Sequence, residues 1–110
     1  MSAPTIKVLE YLTDAGRNPF RAWLTGIKDR FTAGIIQGRI TRLEFGNLGD
    51  CKSVGKEVFE LRINYGPGYR IYFAWDGESV VVLLAGGDKK TQTMDIKRAQ
   101  KFWQDYKSRT

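Results

Sequence analysis

Apolar and polar residues alternate through the middle of the chain. Between Glu57 and Tyr65, the residues Phe59, Leu61, Ile63 and Tyr65 fall on one side of an extended backbone, and Val58, Glu60, Arg62 and Asn64 fall on the other. The pattern returns between Tyr69 and Trp75, with Tyr69, Ile71, Phe73 and Trp75 on one side and Arg70, Tyr72 and Ala74 on the other. Two strands and a hairpin are predicted. Pairing Tyr65 with Tyr69 leaves Gly66-Pro67-Gly68 as the loop, where Pro67 presets an early turn angle and Gly68 supplies a left-handed residue. In that register the apolar sides coincide, Arg62 stands opposite Tyr72 and Arg70 opposite Asn64. The polar side, with Glu60, Arg62, Arg70 and Tyr72, is expected to be open to a ligand. Asp76-Gly77 marks a second hairpin, and the continuous apolar run Ser79–Ala85 predicts a central or well-covered strand.

The flanking segments complete a layout. Thr5–Tyr11 reads as a first strand. Asn18 is a helix cap and Pro19 a first helical residue, followed by Phe20, Trp23, Leu24 and Ile27 at helical spacing. A second helix is predicted from about Thr32 to Phe45, with Ile36, Ile40 and Leu43 buried and Arg39 and Arg42 on a basic face. Gly34 and Gly38 weaken that helix, so a close approach of a neighbour is expected there. Gly46–Gly55 reads as a mobile loop rimming the polar face, with Lys52 and Lys56 flanking its second half. Gly86-Gly87 are expected to end the third strand and bring Lys89 and Lys90 beside the sheet. Thr93 is a candidate cap for a last helix, with Asp95 in its first turn. Ile96, Ala99, Phe102 or Trp103, and Tyr106 would be its apolar stripe, and Lys97, Arg98, Lys101, Lys107 and Arg109 its basic remainder. The expected fold is a single α+β domain over residues 1–110. It has an antiparallel-rich four-stranded sheet, an N-terminal helical hairpin on one face and a C-terminal helix.

Charge and composition narrow the chemistry. Eighteen basic and twelve acidic residues give a net charge of +6 and a pI near 9.6, which favours polyanionic partners such as nucleic acid, the ribosome or an acidic protein. The chain has no histidine and one cysteine. Histidine-based acid–base catalysis, the usual His/Cys metal sites and an internal disulfide are therefore excluded, and Cys51, without a histidine base, reads as a plain thiol. No metal and no cofactor is expected. There is no long apolar run and no charged-then-apolar start, so a cytoplasmic protein with no membrane partner is expected.

The segments ELRINYGPGYRIYF and LLAGGDKKTQTMDIKRA, after the GNLGDCKSVG loop, together resemble the RelE/ParE superfamily of bacterial toxins, in its HigB-type addiction-module-killer branch. The resemblance implies a RelE-like fold, with ribosome-dependent cleavage of mRNA as the activity. It also implies a cognate antitoxin, often a helix-turn-helix protein of the HigA type, through which alone operator DNA would be bound. Residue by residue, it maps the family's catalytic arginines to Arg62 and Arg70 and the basic residue after the third strand to Lys89, with Lys90 beside it. Where relatives carry a C-terminal tyrosine or a histidine, this chain has Asp95-Ile96, which leaves the general acid unassigned. ParE-like members of the same superfamily inhibit DNA gyrase without nuclease activity, which is the alternative reading. A basic RNA- or protein-binding domain without toxicity is a third.

RNA can cleave without a metal when its 2′-hydroxyl attacks the adjacent phosphorus and the 5′-oxygen leaves. Fixed cations stabilise the charge that builds on the phosphoryl oxygens, and arginine's planar fork suits two of them. Arg62 and Arg70 are the expected clamp, and Lys89 or Lys90 would meet the leaving oxygen. Glu60 is a candidate for the 2′-proton, although a carboxylate beside an arginine is more often a structural ion pair. Tyr72 is a candidate for base stacking or proton transfer, and Lys52, Lys56 and Arg98 for binding RNA.

Overall fold

The computed structural model describes residues 3–109. Five strands form one mixed sheet in the order β1-β5-β4-β3-β2: β1 is Lys7–Glu10, β2 Cys51–Ser53, β3 Phe59–Ile63, β4 Tyr69–Trp75 and β5 Val80–Gly87. Only β1 runs parallel to its neighbour, β5. The helices are α1 (Pro19–Thr25), α2 (Arg30–Glu44) and α3 (Gln92–Ser108), the last entered through a 3₁₀ turn at Lys89–Thr91. The sheet therefore has five strands rather than the expected four.

Asn18 and Pro19 begin α1 as the sequence suggests, with the Asn18 side chain accepting from the Arg21 amide at 2.9 Å. Asp29 caps α2 in the same way. Phe20 and Leu24 of α1 and Ile36, Ile40 and Leu43 of α2 cover one face of the sheet, over Leu61, Ile63, Ile71, Phe73, Val81 and Leu83. The two helices share that core without forming the expected helical hairpin; α1 docks closely on β5. Gly86 makes this possible, because a β-carbon there would stand 2.0 Å from the Trp23 ring.

The opposite face, expected to be open, is covered by α3. Ala99 and Trp103 pack on Val58, Tyr72, Ala74, Val82 and Leu84. Between Trp103 and Phe102, Trp103 is the buried residue. The last strand is apolar throughout because both of its faces are covered. A register shift between Tyr72 and Phe73 sets Ala85 opposite Tyr72 but Leu83 opposite Phe73. The extra residue, Leu84, joins Ala85 in the core under α3. Gly86 and Gly87 belong to β5 rather than ending it, and pair with Ile71 and Arg70. The α3 entrance is capped by Asp88, which accepts from the Lys90 and Thr91 amides, rather than by Thr93.

The β3–β4 register differs from the expected one by two positions. Ile63 pairs with Tyr69, Arg62 with Arg70 and Glu60 with Tyr72. The loop is consequently Asn64–Gly68, with Gly66 and Gly68 in the left-handed region. A shift by two leaves every side chain on its predicted face, which is why alternation alone did not distinguish the registers.

The Gly46–Gly55 segment is not a mobile loop. Its second half contains β2, which pairs with β3, and its first half is pinned by Arg39. That guanidinium donates through Nη2 to the carbonyls of Leu48 (3.3 Å), Asp50 (3.5 Å) and Arg62 (3.3 Å). Arg39 is thus buried among the core residues of α2 rather than on a basic face. The close neighbour expected at Gly34 and Gly38 is absent, since a β-carbon at either position would have nothing within 4 Å.

Candidate functional site

The end of the β3–β4 hairpin gathers the principal cations. Arg62 and Arg70 are direct cross-strand partners, and both line a concavity of about 280 Å³ together with Asp50, Asn64, Gly68 and Tyr69. Arg62 donates through Nη2 to Asp50 Oδ1 at 3.0 Å, and through Nε at 3.2 Å. That pair is solvent-facing, with side chains 39% and 54% exposed. Arg70 is held more firmly. Its Nη1 donates to the Gly68 carbonyl at 2.6 Å, and its Nε lies 3.5 Å from Glu60 Oε2. Lys89 joins the group across Gly68: a β-carbon on that glycine would lie 3.1 Å from Arg70 Nη1 and 3.7 Å from Lys89 Cβ.

Glu60 and Tyr72 lie behind this surface. Both are fully buried, so neither is open to a ligand as expected. Tyr72 Oη donates to Glu60 Oε2 at 3.1 Å, and the Gln92 side-chain amide of α3 donates to the same oxygen at 2.8 Å. Burial, reinforced by the neighbouring Glu60 carboxylate, raises the Tyr72 phenol well above its usual range. These groups form a support beneath Arg70 that ties it to the first turn of α3.

The remaining predicted residues disperse. Lys90 is exposed on the 3₁₀ turn. Lys52 is exposed on the edge strand, opposite Glu60 in register. Lys56 lies on the α3 side with Lys97 and Lys101. Arg98 pairs with Asp95 at 3.5 Å and lies 5.5 Å over the Phe102 ring. Cys51 is half-buried, and burial pushes its thiol up, which suits a plain thiol. The sequence reading missed Asp50, whose pairing with Arg62 depends on the pinned loop, and Gln92, whose partner is thirty-two residues away. Among the described residues no cluster of three or more Cys, Asp or Glu residues is arranged to hold a metal ion, and no helix is long and apolar enough to cross a membrane.

Comparison with known proteins corrects the family assigned from the sequence. Residues 37–107 match the family described as phage-derived protein Gp49-like (DUF891), which is distinct from the HigB-type RelE/ParE toxins. The Gly86-Gly87-Asp88 part of the resemblance has a structural explanation. Gly86 and Gly87 accommodate Trp23 and Asp95, whose atoms lie 2.0 and 1.8 Å from where their β-carbons would be, and Asp88 caps the turn into α3. Such features follow from packing a helix on each face of a sheet and do not identify a toxin branch. A Haemophilus influenzae protein, itself uncharacterized, is 48% identical over 86 residues, spanning 78% of this chain and 87% of the relative. The family match at residues 37–107 runs from the middle of α2 through nearly all of α3 and contains the whole arginine site, and the chain belongs to the phage-derived Gp49-like family.

Proposed function

We propose that the protein is the toxin of a toxin–antitoxin module and that it cleaves ribosome-bound mRNA, arresting translation. The observation that carries the reading is the pairing of Arg62 with Arg70 across one ladder, around a concavity whose one carboxylate is Asp50, with Lys89 bordering Gly68 beside it. Membership of a family that is often toxin-like in toxin–antitoxin modules supports it, as does the net charge of +6.

In this mechanism a phosphate enters between the two arginines. Arg62 exchanges its exposed contact with Asp50, a weak interaction in water, for a phosphoryl oxygen. Arg70, already oriented by Gly68 and Glu60, meets a second oxygen without reorganising. The 2′-oxygen bonds to phosphorus as the bond to the 5′-oxygen breaks, and charge accumulates where the guanidinium groups stand. The 2′-proton passes to solvent or a ribosomal group, since Glu60 and Tyr72 have no access to it. Lys89, exposed and bordering Gly68, neutralises the leaving 5′-oxygen, which takes its proton from solvent. The products are a 2′,3′-cyclic phosphate and a 5′-hydroxyl. The partners are the ribosome with its mRNA and a cognate antitoxin that suppresses the activity.

Induced expression of wild type, Arg62→Ala and Arg70→Ala tests this. Growth arrest with mRNA cut at discrete positions, lost in variants that remain folded, is expected. Intact mRNA together with failed DNA supercoiling would replace the nuclease by a gyrase inhibitor. Full toxicity of both folded variants would remove the phosphate clamp.

A further inference from the structure

A second concavity, of about 480 Å³, lies between α2 and the end of β3. It shares Asp50, Arg62, Ile63 and Asn64 with the smaller one, so the two make one trough that passes over Arg62. Arg39, Arg42, Arg62 and Arg70 line it, against the single carboxylate of Asp50. Arg42 is exposed and lies in the trough wall. Tyr65 borders the far end, 38% exposed, with its ring 6.2 Å from that of Phe31, which is 68% exposed. Large aromatic rings left in water beside arginines are an unusual surface for a monomer.

Gly38 gives the second observation. It lies in the middle of α2, where glycine costs helix stability, and it lines the trough. Apart from its own helix backbone nothing approaches it, since a β-carbon there would have no other atom within 4 Å. Its missing side chain has no packing role within this chain and leaves room for something that enters the trough.

We propose that the trough is a strand-binding subsite for single-stranded RNA, holding the nucleotides on one side of the phosphate clamped by Arg62 and Arg70. This rests on the nuclease reading above and extends it. Arg42 takes a backbone phosphate, the bare surface at Gly38 admits the sugar–phosphate chain, and an unstacked base lies on Tyr65 and Phe31. Continuity with the arginine pair favours RNA over an acidic peptide. A paired duplex presents no free base face for the two rings.

The test is fluorescence polarisation of purified protein with an uncleavable 2′-O-methyl single-stranded oligonucleotide. Tyr65→Ala and Arg42→Ala should each weaken binding about tenfold, and Arg42→Ala should also reduce the salt slope by about one. Gly38→Leu should weaken binding by a similar factor while the protein stays folded, because the position is open. Arg70→Ala is carried through both the binding and growth assays. Loss of growth arrest in Arg70→Ala, with unchanged RNA binding in all three trough variants, would overturn the subsite and leave the clamp standing. Full growth arrest in folded Arg70→Ala would instead count against the nuclease reading itself. Failure of the wild type to bind the oligonucleotide, or trough variants that bind it normally but no longer bind the antitoxin, would also overturn the subsite.

Discussion

Arg62 and Arg70 stand opposite each other on β3 and β4, yet their guanidinium groups are tied to different kinds of anchor. Arg62 rests on Asp50 at the surface. Arg70 rests on a backbone carbonyl and on the buried Glu60. One arginine is therefore exchangeable and the other fixed, an arrangement suited to capturing an anion and then orienting it. In this account Asp50 competes with the incoming phosphate. Asp50→Asn should tighten binding of single-stranded RNA by up to about fivefold, the scale of an exposed ion pair, as read by oligonucleotide titration at low salt.

Glu60 is the support beneath the fixed arginine. Replacing it with alanine leaves Tyr72 Oη, the Gln92 amide and Arg70 Nε facing an empty pocket. Glu60→Ala should cost about 3–5 kcal/mol, the cost of removing one partner of a buried charged pair, with a clearly smaller loss for Glu60→Gln. Urea unfolding followed by tryptophan fluorescence measures both.

The glycines divide into two groups with opposite expected signs. A methyl at Gly86 meets the Trp23 ring and one at Gly87 meets Asp95 Oδ2. Each alanine variant should therefore lose about 1–3 kcal/mol. Gly34 and Gly38, on α2 with open space around them, should gain about 0.5–1 kcal/mol each on replacement by alanine. Thermal melts of the four single variants decide this.

Much of the fold is legible in the residues. Alternation assigns each side chain of β3 and β4 to its face, and Asn18-Pro19 marks the start of α1. Alternation does not say what lies over a face. Glu60 and Tyr72 look solvent-facing because they are polar, whereas Glu60 Oε2 accepts from both Tyr72 and Gln92 under α3. β2 is three residues of an edge strand, Cys51–Ser53, too short and polar for periodicity to reveal. Arg39 reads as surface charge, and its buried role depends on carbonyls in a loop that folds back over it. Arg62 and Arg70 were identifiable as neighbours because a hairpin keeps its polar positions together in either register.

Glu10 links β1 to α1 by pairing with Arg21 and accepting from Asn18 Nδ2 at 2.8 Å. The hydrogen bond from Arg21, aided by Asn18, holds its carboxyl below the ordinary value of 4.5. The folded carboxyl thus gives up its proton more readily than the unfolded one. Its contribution is complete above pH 4.5 and disappears as pH falls through the lower folded value. In melts taken from pH 7 down to 3, the stability gap between wild type and Glu10→Gln should close on the acid side. A gap that is constant over that range would show that Glu10 does not titrate in the linkage.

The chemistry of the cut RNA ends tests the central claim most directly. After induction, total RNA can be sequenced by ligation methods that distinguish 5′-hydroxyl from 5′-phosphate termini and 2′,3′-cyclic phosphates from free 3′-hydroxyls. A clamp of Arg62, Arg70 and Lys89 that promotes attack by the 2′-hydroxyl predicts new 5′-hydroxyl ends within coding sequence, matched by cyclic phosphates and absent from the folded Arg70→Ala variant. New 5′-phosphate ends, unchanged cutting in Arg70→Ala, or growth arrest with no new ends at all would contradict it.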